Sequence, residues 1–174
     1  VGLAWLILAY RAAPVVPLWE PIPGALYIAM LLMLLAFILL ALGLGAGNPT
    51  LAGADMILKD QLPVYGVTRI TRHPLLWVFA LWAIAHLLAN GHLAALLLFG
   101  AILVTALNGM VSIDRKRRRA LGRAWDTFAA ATSRVPFAAI VAGRNSLRLE
   151  ELPVWRIAVG VVLFGAALWL HGFI

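Results

Sequence analysis

Four histidines and no cysteine bound the chemistry open to this chain of 174 residues. Without thiols there can be no disulfide, thiolate metal site or cysteine nucleophile. His86 stands inside an apolar run, where an ionisable side chain is rare and functional by default. Neutral imidazole is a ligand for haem iron, which makes His86 the candidate metal ligand. Trp82 and Phe79, four and seven residues earlier, fall on the same helical face, placed to flank a flat macrocycle. The same spacing suits a histidine hydrogen-bonded between helices, with the aromatics as packing. His171 lies near the end of the last apolar run, at the depth of His86 in the topology derived below. A bis-histidine pair and a solvated interfacial side chain are both open for it. His92 follows a turn and is expected at the surface.

A second constellation is Thr71-Arg72-His73-Pro74. A residue before proline avoids the helical region, and proline suits the first helical turn, so a helix should start at Pro74. Its N-terminus with Arg72 and His73 is a candidate anion site; a cap and lipid-phosphate anchor is the plainer reading, since cytoplasmic span ends attract basic residues. His73 and His86 are 13 positions apart, about 20 Å of helix, so one iron cannot use both. Asn108 and Ser112 share a helical face and either line a polar site or bond between helices. No Ser-His-Asp spacing, P-loop or dinucleotide fingerprint is present.

The elements that must position these residues are membrane helices. The chain is 64% hydrophobic and 12% charged, half the charge of a soluble domain, so lipid is its solvent. Ala25 to Leu44 is an apolar run long enough for one span, preceded by Pro21 and Pro23, with Gly43, Gly45 and Gly47 loosening its end. The stretch from His73 to Ile113 has no Asp, Glu, Lys or Arg. Asn90-Gly91, a strong turn signal, divides it into a hairpin of Pro74 to Ala89 and His92 to Ser112. A last span runs from about Pro153 to Phe173. With this topology all of the 14 Lys and Arg except Arg11, Lys59 included, fall on one side. Hydropathy and charge thus agree through the positive-inside rule. Topology and anionic lipid account for the net charge of +7, without nucleic acid. From Asp114 to Ala131, Leu121, Trp125 and Phe128 recur at helical spacing, with Arg115, Lys116, Arg119 and Arg123 facing away. This reads as a helix lying in the interface. Asp114 falls on its apolar side and wants a partner. The fold class is therefore all-α, a polytopic transmembrane bundle with an interfacial amphipathic helix, in one domain over residues 1–174. The start at Val1, inside an apolar run, reads as a fragment or processed chain with a further helix upstream, giving about five spans once the first is completed.

The hairpin resembles the NnrU family of bacterial membrane proteins. The residues that carry the likeness are G-V-T-R-I-T-R-H-P-L-L-W (Gly66 to Trp77), L-W-A-I-A-H-L-L-A-N-G (Leu81 to Gly91), L-L-L-F-G (Leu96 to Gly100) and I-D-R-K-R-R-R (Ile113 to Arg119). That resemblance implies a place in the bacterial cytoplasmic membrane and an association with denitrification, through nitrite and nitric oxide reduction beside a reductase or other membrane-complex partner. The chain is also distantly similar to the 15-cis-zeta-carotene isomerases, which implies haem b held by the histidine of their W-x-x-A-H pattern. His86 matches it, and the second ligand would come from an upstream helix. A third similarity, to isoprenylcysteine carboxyl methyltransferases, rests on Arg72-His73-Pro74, Asp114 and Arg134 before Val135-Pro136. It implies S-adenosylmethionine with its carboxylate on Arg72 and His73. Ile113 replaces one acid of that family's pattern, and Trp125 and Phe128 replace its tyrosines.

Overall fold

The computed structural model describes residues 2–44, 50 and 64–172. Lys59, Gly45, Gly47 and Phe173 lie outside the described residues. Among the described residues eight α-helices follow in chain order: α1 (Gly2–Ala12), α2 (Ala25–Leu44), α3 (Val67–Ile70), α4 (Pro74–Ala89), α5 (Leu93–Leu121), α6 (Arg123–Ala131), α7 (Ala138–Val141) and α8 (Val154–His171). A turn of 3-10 helix, Leu149–Glu151, precedes α8. The described residues form no strand beyond one isolated bridge between Pro17 and His92. The chain is an all-α membrane protein.

Among the described residues three helices, α2, α5 and α8, are long and apolar enough to cross a bilayer. At 16 residues α4 is shorter, about 24 Å of rise. The expected boundaries of α2 and α4 hold, because Pro74 opens α4 and Asn90-Gly91 closes it. Leu18 and Trp19 both donate backbone hydrogen bonds to the carbonyl of Gly91, at 2.8 and 3.1 Å. A Cβ at Gly91 would collide with the carbonyl of Trp19, so only glycine lets the hairpin pass under the segment after α1.

The second hairpin arm differs from expectation. Instead of stopping at Ser112 and giving way to a separate helix from Asp114, α5 runs unbroken for 29 residues to Leu121. Arginine and lysine are good helix formers, so leaving lipid does not end a helix. The break comes at Gly122, with φ +51° and ψ −124°, a positive-φ conformation that glycine adopts without the strain a side chain would bring. The amphipathic interfacial helix is therefore the shorter α6, with Trp125 and Phe128 buried as expected.

Packing follows membrane rather than aqueous logic. Large side chains such as Tyr27 (74% exposed) and Val162 (69%) face outward, while the buried positions of the spans are mostly small: Ala25, Ala29, Ala36, Gly43, Ala80, Ala83, Ala85 and Gly160. Small residues let backbones approach and gain dispersion where no hydrophobic force acts between helices. α2 packs between α4 and α8. At Gly160 a Cβ would come within 2.6 Å of the Cα of Ile38. Gly160→Leu is expected to push α8 off α2 and cost about 1–3 kcal/mol, read as a lower midpoint in detergent. Gly165→Leu, where nothing lies within 4 Å, should leave that midpoint unchanged.

Candidate functional sites at the two ends of the bundle

The antiparallel arrangement puts His86 and His171 at one end and the arginine-rich segments at the other. His86 borders a cavity of about 480 Å³ lined by Met30, Met33 and Phe37 of α2, Trp82 of α4, and Phe164 and His171 of α8. The rings of His86 and His171 are 6.3 Å apart and nearly perpendicular, at 82°. His171 is exposed as well, so the paired and the solvated readings meet in one position. Trp82 stands edge-on to His86 at 5.3 Å. Phe79 does not flank it: it is 51% exposed and lines a separate apolar groove of about 750 Å³ beside α1 and α5. Phe99 of α5 takes the expected place, stacked on His86 at 4.5 Å and 26°. Phe99 also stands edge-on to Trp82 at 5.3 Å, so the partner aromatic comes from the neighbouring helix, which spacing along α4 alone does not reveal.

The His86 ring is fixed by its own helix. Its Nδ1 lies 2.8 Å from the carbonyl of Trp82. A carbonyl only accepts, so the proton is on Nδ1 and the lone pair is on Nε2. Such a bond from the other ring nitrogen orients the histidines that bind metals. His86 and His171 line the same cavity, so both could serve a group bound there. Among the described residues no group of three or more His, Cys, Asp or Glu gathers to hold an ion. The donor set therefore suits haem, which brings its own nitrogen ligands and asks the protein for one or two more, better than a bare cation.

His92 is half-buried rather than a surface residue. It caps α5 by accepting from the backbone of Ala95 at 3.3 Å, and the hydroxyl of Tyr10 lies 3.5 Å from its Nε2. Asn108 and Ser112 form no polar site. Both are exposed, and Asn108 donates to the carbonyl of Val104 in its own helix at 3.0 Å, which satisfies the amide without a neighbour.

At the basic end the segment Thr71–His73 is stitched to the one after α6. The backbone N–H of Arg72 donates to Ser133 at 2.9 Å. The hydroxyl of Thr71 and the indole of Trp77 donate to the carbonyl of Arg134 at 2.8 and 2.7 Å. These bonds bring Arg72, His73, Asp114 and Arg134 together. Asp114 finds the partner it needs in His73, whose Nε2 donates to its carboxylate at 2.7 Å, while Arg134 and Arg72 stand 3.5 and 3.7 Å from its other oxygen. His73 is 1% exposed and faces Asp114. Arg72 borders the adjacent cavity of about 700 Å³ and His73 does not, so only Arg72 of the pair meets a ligand there. Burial lowers the pKa of Arg72 from its ordinary value, opposed by Asp114.

One buried ion pair was not anticipated. Glu151 receives a bidentate bond from Arg69 at 2.7 and 2.8 Å, and the backbone N–H of Gly66 at 2.7 Å. The hydrogen bonds from Arg69 hold the Glu151 carboxyl below the usual carboxylate range. The available signal was an acid beside Pro153 at the entry of the last span, on a side otherwise crowded with arginine.

The family described as NnrU protein matches over residues 1–174. The chain is 31% identical over 127 residues to the chloroplastic 15-cis-zeta-carotene isomerase of Arabidopsis thaliana, covering 65% of the chain and 35% of the relative. It is 35% identical over 82 residues to the same enzyme of Zea mays, covering 47% of the chain and 22% of the relative. The chain thus spans about a third or less of the length of these relatives. No solved structure matches it significantly.

Proposed function

The chain belongs to the NnrU protein family, and from that membership we propose that it is a haem b-binding protein of the bacterial cytoplasmic membrane that serves nitrite and nitric oxide reduction beside a membrane reductase. The observation that carries the haem reading is the His86 geometry: a tautomer fixed by the Trp82 carbonyl, with the His171 ring 6.3 Å away. His86 and His171 are the residues that would hold the group. When bound, haem supplies one-electron redox chemistry. The protein's share is positional. The Trp82 carbonyl keeps the proton on Nδ1, Phe99 holds the ring against rotation, and Met30, Met33, Phe37 and Phe164 keep the cavity apolar. His86→Ala is expected to abolish haem absorbance in protein isolated from haem-supplied cells. His171→Ala should retain haem with an altered absorption spectrum, since one of the two residues that would hold the group is lost. Undiminished absorbance in His86→Ala would sink the assignment.

A second reading has its own observation. The plant relatives are named isomerases of a carotene, a long apolar polyene, and the groove beside Phe79 is lined almost wholly by apolar side chains. In that reading the same histidines serve an isomerase. Conversion of a cis-carotene by the purified protein would favour it. Loss of nitrite or nitric oxide reduction on deletion, with no such conversion, would favour the first.

A further inference from the structure

The cavity of about 700 Å³ at the basic end is walled by five arginines, among them Arg72, Arg118 and Arg134, against two aspartates, Asp114 and Asp126. That leaves a net charge of +3 on its walls. Surface arginines at a span end need no ligand, but Arg72 is not at the surface. It is 9% exposed, and its Nε is shielded from solvent with no hydrogen-bond partner. The nearest acid oxygen, on Asp114, is 3.7 Å away, too far for a hydrogen bond. Asp114 is already engaged by His73 at 2.7 Å, and Asp126 is drawn to Arg118 at the rim at 2.8 Å. The two acids therefore offset only part of the arginine charge, and the Arg72 Nε stays a buried donor without a hydrogen-bond partner, which is costly. Guanidinium forks match phosphate geometry, and a wall carrying +3 favours a polyanion over a zwitterion such as S-adenosylmethionine. Trp125 and Ala129 supply an apolar side.

We propose that this cavity is a binding site for a phosphate-bearing anion, gripped by Arg72 from the interior and by Arg118 and Arg134 from the rim. The site is independent of the histidine cavity and of any haem. The phosphate is carried by a soluble phosphate ester or by an anionic lipid headgroup.

The test is thermal unfolding of the full chain, followed by tryptophan fluorescence, in discs of phosphatidylcholine titrated with inorganic pyrophosphate, and separately in discs containing phosphatidylglycerol. A ligand of the folded state raises the midpoint in a saturable way. Arg118→Ala and Arg134→Ala should each weaken that response about tenfold, the loss of one charge-assisted hydrogen bond. The side chains of Arg118 and Arg134 are 66% and 48% exposed, so both variants should fold. Arg123→Ala, which removes equal charge outside the cavity, should respond like the unaltered protein. A response to pyrophosphate alone assigns a soluble ester, and one to phosphatidylglycerol alone assigns the headgroup. No response to either overturns the proposal, as does a response that Arg118→Ala and Arg134→Ala leave intact, or stabilisation by S-adenosylmethionine without pyrophosphate.

Discussion

Asp114→Ala is expected to destabilise the protein by about 3 kcal/mol or more, the cost of stripping one partner from a buried charged cluster. The carboxylate is the hydrogen-bond acceptor of His73 Nε2 and the counter-charge of Arg72 and Arg134. Its loss leaves the His73 side chain buried with neither nitrogen bonded, because Nδ1 already lacks a partner. It also leaves Arg72 facing Arg134 without the acid between them. Denaturant titration in detergent measures the cost. A double-mutant cycle with His73→Phe isolates the pair, and the coupling should be well above the few tenths of a kcal/mol that surface pairs give. A value near zero would mean that the cluster holds nothing together.

Glu151→Ala is expected to cost about 3 kcal/mol for the same reason, since it leaves Arg69, 12% exposed in its side chain, without its bidentate partner. This loss carries a pH signature. The Glu151 carboxyl is held below its ordinary value, chiefly by the hydrogen bonds from Arg69. A depressed carboxyl contributes stability that is fully present above its unfolded pKa, about 4.3, and is lost as pH falls through the folded one. Stability of the unaltered protein and of Glu151→Ala should therefore differ most near neutrality and converge in acid. A gap that stays constant down to acid pH would show that Glu151 acts by packing alone.

The parts of this fold legible in the sequence are those that lipid dictates. Ala25–Leu44 and Pro74–Ala89 came out at their observed ends, because apolar runs, proline and Asn90-Gly91 are local signals. The need of Asp114 for a partner was also readable, since an acid on an apolar face is costly wherever it falls. What was not readable depends on which helix crosses which. Phe99 replaces Phe79 against His86, and Glu151 reaches back to Arg69 across 82 positions. The end of α5 was misplaced for a different reason. The charge run at Arg115 to Arg119 marks where the bilayer stops, and Gly122 marks where the helix stops. These are separate physical events, the first beginning one residue after Asp114 and the second eight residues after it. His86 was legible as a candidate, while the Trp82 carbonyl that fixes its tautomer required the helix geometry.

The central claim is that the His86 cavity holds haem, and the most direct measurement is the absorption spectrum of the protein purified in detergent from haem-supplied cells, oxidised and then reduced. The expected result is a Soret band with visible bands that sharpen on reduction, lost in His86→Ala protein that still folds. A spectrum featureless in the visible, from well-folded protein given haem, would contradict it.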